Sequence, residues 1–313
     1  MRFSWRLLSS LVATLLVAEI SRSQETNPAI EQARLFPRNV PPTAGTGAGD
    51  GVALPQAETT LSEDESFGAQ QILKAQEKIP QFALTSAASL YYTNNVALTR
   101  SATQSDGFFV GEAGFNWTPR LSPQLQLQLG GGASVFRYFN TSALDFENLG
   151  FGGGIGWAPE HAWGLSLLAR YDFTELLDRH SSQILQDHEF SAALQKVVVF
   201  GRSHALNFNL VGSAGIADPV AQQREQVGFG IAYHLQVARQ FGVDFGYRHS
   251  WFLYNEHGRT DLNQIFSVAA HYRVGRWVTA DGFVSGALNN SNQSVYDYKA
   301  LTAGGGVALT IRF

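Results

Sequence analysis

Cysteine is absent from all 313 residues, which excludes disulfide frameworks, thiolate metal sites and cysteine nucleophiles. Charge is scarce as well. Asp, Glu, Lys and Arg together make 15% of the chain, and the net charge of −4 is spread along it, so nothing points to nucleic acid as a partner. Long apolar runs are missing after the first two dozen residues. No later stretch approaches the roughly 18 apolar residues a membrane-spanning helix needs. What the chain has instead is 31 glycines and 12% aromatics, arranged with a period of two.

The N-terminus, MRFSWRLLSSLVATLLVAEISRSQ, carries Arg2 and Arg6 before an apolar run from Leu7 to Ala18, too short to span a bilayer. Ser21 and Ser23 suit the small-residue cleavage rule, so residues 1–23 read as a signal peptide cut near Ser23–Gln24. Residues 24–65 are rich in Pro, Gly, Thr and acidic groups without a period, which predicts a disordered periplasmic linker. Residues 66–80 predict a short helix, capped by Asp64 or Ser66 and stopped by Pro80. It precedes the first strand and is expected at or under the periplasmic mouth.

From residue 81 to 313 the texture is strand, turn, strand. QLQLQL sets Leu125, Leu127 and Leu129 against Gln124, Gln126 and Gln128, the alternation of a sheet with two different surroundings. About twelve such segments fall near 82–98, 107–118, 124–138, 147–158, 162–174, 188–200, 204–217, 225–238, 241–254, 262–274, 277–289 and 298–313. Their alternating cores match the roughly 9–11 residues of a tilted membrane-spanning strand. Polar connections such as RSATQSD and NSNQSVYDY alternate with tight ones such as GRSH and VGR. That is the signature of an all-β, up-and-down transmembrane β-barrel with long outer loops and short periplasmic turns. Trp117, Trp157, Trp163, Trp251 and Trp277 sit at segment ends, where an interfacial aromatic girdle belongs. The predicted address is the bacterial outer membrane, with its lipid as solvent. A secreted soluble β-sandwich or propeller explains the tryptophan placement less well.

The final strand, LTAGGGVALTIRF, keeps Val307, Leu309, Ile311 and Phe313 on one face and ends there. It resembles the C-terminal signature of Gram-negative outer-membrane proteins, although many of those carry an aromatic where Ile311 stands. The resemblance implies that the barrel-assembly machinery reads this strand. SFGAQQILKAQEKIPQF, YYTNNVALTR, ADPVAQQR and SNQSVYDYKALTAGGGVALTIRF are similar to stretches of uncharacterised, porin-like Gram-negative outer-membrane β-barrel proteins. That resemblance implies a fold and a location, not a substrate.

Period-two parity assigns Glu112, Arg170, Asp172, Glu189, Asp244, Arg248, Arg273, Asp281 and Arg312 to the lumen, since a charge on the lipid face is costly. About eight strands already give a lumen that side chains fill, so about twelve leave more room. The expectation is a narrow passive porin-like channel in which mixed lumen charges tune passage of ions or small polar solutes. The alternative is a closed-lumen structural or surface-interaction barrel. No outer loop looks long enough to fold in as a constriction.

GFGGGIG at 150–156 mimics a dinucleotide-binding loop but continues as a strand, so its glycines read as a crowded barrel wall and no cofactor is implied. An enzyme acting on lipid or peptide requires a His–Ser or His–Asp pair in reach. Adjacent His249 and Ser250 point to opposite faces of a strand, so no catalytic site is expected. His234 and His271 face the lumen, but the eight histidines are scattered and no metal site is expected.

Overall fold

The computed structural model describes residues 28–35, 81–159, 164–201, 203–256 and 258–313. The predicted signal peptide, the helix over 66–80 and Trp163 lie outside these residues. Twelve antiparallel strands form a closed barrel in which every strand pairs with its sequence neighbours and β1 pairs with β12. They are β1 Phe82–Thr93, β2 Asp106–Trp117, β3 Leu125–Tyr138, β4 Phe146–Trp157, β5 Leu165–Asp178 and β6 Gln183–Phe200, followed by β7 His204–Asp218, β8 Arg224–Ala238, β9 Phe241–Tyr254, β10 Thr260–Arg273, β11 Val278–Ser291 and β12 Tyr298–Arg312. A helix, α1, spans Pro28–Leu35.

Closure removes every sheet edge, the condition for crossing a bilayer with strands. At the seam, Ala83 to Thr93 pair with Arg312 to Thr302. The Phe313 amide donates to the Phe82 carbonyl at 2.8 Å, and the Gln81 amide donates to the Phe313 carbonyl at 2.9 Å. Val307, Leu309 and Phe313 point outward and are exposed, as are Leu90, Phe151, Phe190, Leu210, Phe266 and Val284 elsewhere around the wall. This continuous apolar outer face is the opposite of a water-soluble surface and suits lipid. Trp117, Trp157 and Trp277 stand exposed at the turn end of the barrel, and Trp251 stands exposed toward the loop end.

Two expectations need correction, and both concern the loop end. The stretch over 24–65, read as an irregular linker, contains α1. Eight residues form a marginal helix in water, so tertiary contacts must hold it. Ala29, Ile30 and Gln32 supply them, each almost fully buried. Second, β1 stops at Thr93 rather than continuing to 98, and the connection over 94–105 folds inward, against the expectation that no outer loop is long enough to do so. Leu98 and Ala102 take positive φ values of 50° and 55°. Asn95 holds the reversal by donating to the carbonyls of Thr99 at 2.7 Å and Lys299 at 2.9 Å. Val96 and Leu98, which alternate as if in a strand, turn into the interior instead.

The other connections are shorter than their polar sequences suggest. Within LLDRHSSQILQD, β5 and β6 leave only residues 179–182 as loop.

Candidate functional site

The lumen divides into two halves of different chemistry. At the loop end, α1 lies across the barrel mouth. Ala29 and Ile30 join a buried apolar cluster with Val96 from the inward loop, Phe108 and Val110 from β2, Phe136 and Tyr138 from β3, and Phe146 from β4. The Phe136 and Phe146 rings stack at 4.2 Å. Leu35 packs on a second cluster of Leu98, Ala287, Tyr298 and Ala300, on β11 and β12 beside the closing seam. The helix therefore touches strands on both sides of that seam. Burying Ile30 alone contributes about 1.5–3 kcal/mol.

Polar contacts set the helix in register. Gln32 Nε2 donates to the Val96 carbonyl at 2.8 Å. Arg34 donates to Gln222 Oε1 at 3.1 Å and to the Gln222 carbonyl at 3.2 Å. Glu31 accepts from Arg34 at 3.3 Å and from the Tyr254 hydroxyl at 3.4 Å, and lies 3.8 Å from Arg259. Arg259 is the anchor. It is paired with Asp261, and its guanidinium sits between the Tyr254 and Tyr296 rings at 4.1 and 3.6 Å. Burial alone would raise the Glu31 carboxyl, but Arg34, Arg224 and Arg259 hold it below its ordinary value.

At the turn end the lumen wall is mostly polar, apart from a small apolar cluster of Leu168, Ala193 and Val211. Arg170, Asp172, Asp244, Arg273, Asp281 and Arg312 on this half, with Glu112 and Arg248 at mid-height and Glu189 nearer the loop end, occupy the strand parity opposite to the exposed apolar residues. Arg170 and Asp172, two apart on β5, form a double hydrogen bond at 3.0 and 2.5 Å. The glycine row on β4 makes room for them. A Cβ on Gly152 would collide with the Asp172 carboxylate, and one on Gly154 would stand 2.5 Å from Arg170 Cγ. The Ser166 hydroxyl, the side-chain oxygens of Asn207 and Asn209, and both polar atoms of Gln195 are buried without a hydrogen-bond partner among the described residues. Polar groups of this kind suit a wall that takes water as its hydrogen-bond partner.

His234, Asp244 and His271 come together on this wall. Their potential ligand atoms all lie within 4.8 Å of one another. The scattering of histidines in sequence hid this, because the three sit on β8, β9 and β10 and only the strand register brings them together. His249 and Ser250 are not partners: Ser250 faces the lumen, while His249 packs outside against Trp251 and Phe229.

No protein-family description and no curated protein matches the sequence. Among solved structures the chain is similar to an outer-membrane channel of Pseudomonas putida F1, with a TM-score of 0.54 and 11% identity over 74% of this chain and 96% of that one. It also aligns with an anion-selective porin of Comamonas acidovorans, with a TM-score of 0.40 and 9% identity over 74% of this chain and 99% of that one. At such identities the likeness is one of fold. The apolar belt and this fold together make the chain an outer-membrane β-barrel.

Proposed function

We propose that the protein is a channel for ions or small polar solutes whose lumen is closed at its outer end, at rest, by its own N-terminal helix. One observation carries the reading: the apolar seal and the polar stretch of wall occupy different halves of a single lumen. A barrel serving only as an anchor has no need of the buried polar atoms of Gln195, Asn207 and Asn209 facing the lumen beside an Arg170–Asp172 pair. An unobstructed porin would leave its outer mouth free of a docked helix. With the loops outside and the turns in the periplasm, the polar half opens inward and α1 faces outward. Fold similarity to an outer-membrane channel supports the same direction. The outward row of Val307, Leu309 and Phe313 at the closing seam supports recognition of β12 by the barrel-assembly machinery.

Passage in this reading is passive, and selectivity follows the field of the lumen charges once α1 leaves. The second reading, a permanently closed interaction barrel, is favoured by the extent of the seal itself. Single-channel recording from the refolded chain in a planar bilayer separates the two. The channel reading expects a quiet wild type, and discrete steps from Ile30→Asp, which places a charge in the apolar seal. Silence from both, with each barrel shown folded by heat-modifiable gel mobility, establishes the closed barrel instead.

A further inference from the structure

We propose that His234, Asp244 and His271 form a binding site for a zinc-class divalent cation on the lumen wall near the turn end. The strand register builds it. His234 and Asp244 are direct partners across β8 and β9, while His271 on β10 stands opposite Gly242, two residues before Asp244 on the same face. Asp244 Oδ1 lies 2.7 Å from His234 Nδ1, and its Oδ2 lies 3.2 Å from His271 Nδ1. The imidazole rings are stacked, 5.6 Å apart and inclined by 11°. Gly242 is what admits them: a Cβ there would collide with His271 Nε2 and press on His234 Cε1 at 3.2 Å.

The hydrogen bonds around the trio favour a cation at its centre. Gln236 Nε2 donates to the carbonyls of Ala238 at 2.6 Å and Phe241 at 3.2 Å, which turns its Oε1 toward His234 Nε2 at 3.3 Å. Two oxygens, Gln236 Oε1 and Asp244 Oδ1, therefore face the two nitrogens of one imidazole. Without a metal, His234 donates Nδ1–H to Asp244; with one bound, its Nε2–H donates to Gln236 and its Nδ1 lone pair shares the cation with Asp244. The second arrangement is the usual outer-shell support of a metal-bound histidine, in which the distal N–H is fixed by an acceptor.

Donor chemistry selects the metal. Two imidazole nitrogens and one carboxylate suit Zn²⁺ and its neighbours, whereas Ca²⁺ and Mg²⁺ demand oxygen shells. With metal–ligand bonds of about 2.0–2.2 Å, donor atoms stand about 3–3.5 Å apart. Asp244 meets the two imidazoles at 2.7 and 3.2 Å through different oxygens, and the three ligand atoms fall within 4.8 Å of one another, so a small closing of the side chains completes the site. No hydroxyl joins the hydrogen bonds of the trio among the described residues. Asp281, opposite His271 on β11, adds negative charge on the same wall. Three protein ligands on a lumen face leave coordination open to water, so the ion exchanges with the lumen.

The test uses the tag-free chain refolded in detergent, with folding checked by heat-modifiable mobility. Zn²⁺ is measured by equilibrium dialysis, and Co²⁺ serves as an absorption probe competed by Zn²⁺. The expected result is one Zn²⁺ per folded barrel. His271→Ala and Asp244→Asn should each weaken binding by at least about tenfold, Gln236→Ala by about tenfold, and the loop substitution His180→Ala should leave it unchanged. A folded wild type that takes up no stoichiometric metal, or Asp244→Asn with unaltered affinity, overturns the site. The readout is metal binding, so it stands or falls separately from conduction.

Discussion

The two ends of the lumen are built from the same strands and do opposite things. At the loop end the inward positions are Phe108, Val110, Phe136, Phe146 and Leu176, and a helix is drawn in to cover them. At the turn end the inward positions of those and neighbouring strands are Gly152, Gly154, Ser166, Arg170 and Asp172, with one small apolar cluster of Leu168, Ala193 and Val211, and among the described residues no helix is drawn in. Apart from register shifts near strand ends, at Leu176/Leu177 and Gln236/Ala238, the parity holds along the strands, so the membrane sees one continuous apolar face. Only the inward residues change character with height. The barrel thus separates its two tasks: the outer parity places it in lipid, and the inner parity decides which half of the lumen closes.

The largest expected effect comes from breaking that contrast at the loop end. Ile30→Asp puts a charge where the helix meets the apolar cluster, and conductance should go from none to discrete steps while the barrel stays folded. Arg259→Ala removes the cation shared by Asp261 and Glu31 in a buried setting, a loss of about 3–5 kcal/mol by analogy with other broken buried pairs. Faster proteolysis of the N-terminal segment in the folded barrel is the readout, and unchanged protection would remove Arg259 as the anchor. At the turn end, Gly154→Val should overpack the wall against Arg170 at about 1–3 kcal/mol. It should lower the urea midpoint without opening the outer mouth, and an opened mouth would mean the halves are coupled.

The smallest effect sharpens the comparison by pH. The Glu31 carboxyl is held below its ordinary value of 4.5 by Arg34, Arg224 and Arg259. Its contribution to docking is therefore complete above that value and is lost as pH falls through the lowered one. Seal opening should increase only in that acidic window, and Glu31→Gln should flatten the dependence. An opening that sets in near neutrality would point to other groups.

Strand parity was legible in the sequence because lipid imposes it residue by residue. Leu125, Leu127 and Leu129 against their glutamines state which face is which through their spacing alone. The sealed end was not legible, since α1 owes its existence to partners over sixty residues away, as with Gln32 and Val96. Val96 and Leu98 carry the alternation of a strand yet turn inward, because positive φ at Leu98 and the Asn95 hydrogen bonds override the pattern. The histidine trio escaped for a similar reason. His234, Asp244 and His271 share no local spacing and meet only through the register of three strands.

Central to the channel reading is the seat of α1 in the outer mouth of its own barrel. The chain has no cysteine, so Gln32→Cys with Val96→Cys is the sole thiol pair in the molecule. Cells carrying this variant would be treated with a short bifunctional maleimide, and the outer-membrane fraction read by mass after digestion. A linked peptide joining residues 32 and 96, absent from either single variant, is the predicted result. Free thiols at both positions in a heat-modifiable, folded barrel would contradict the seal and return the lumen to an open pore.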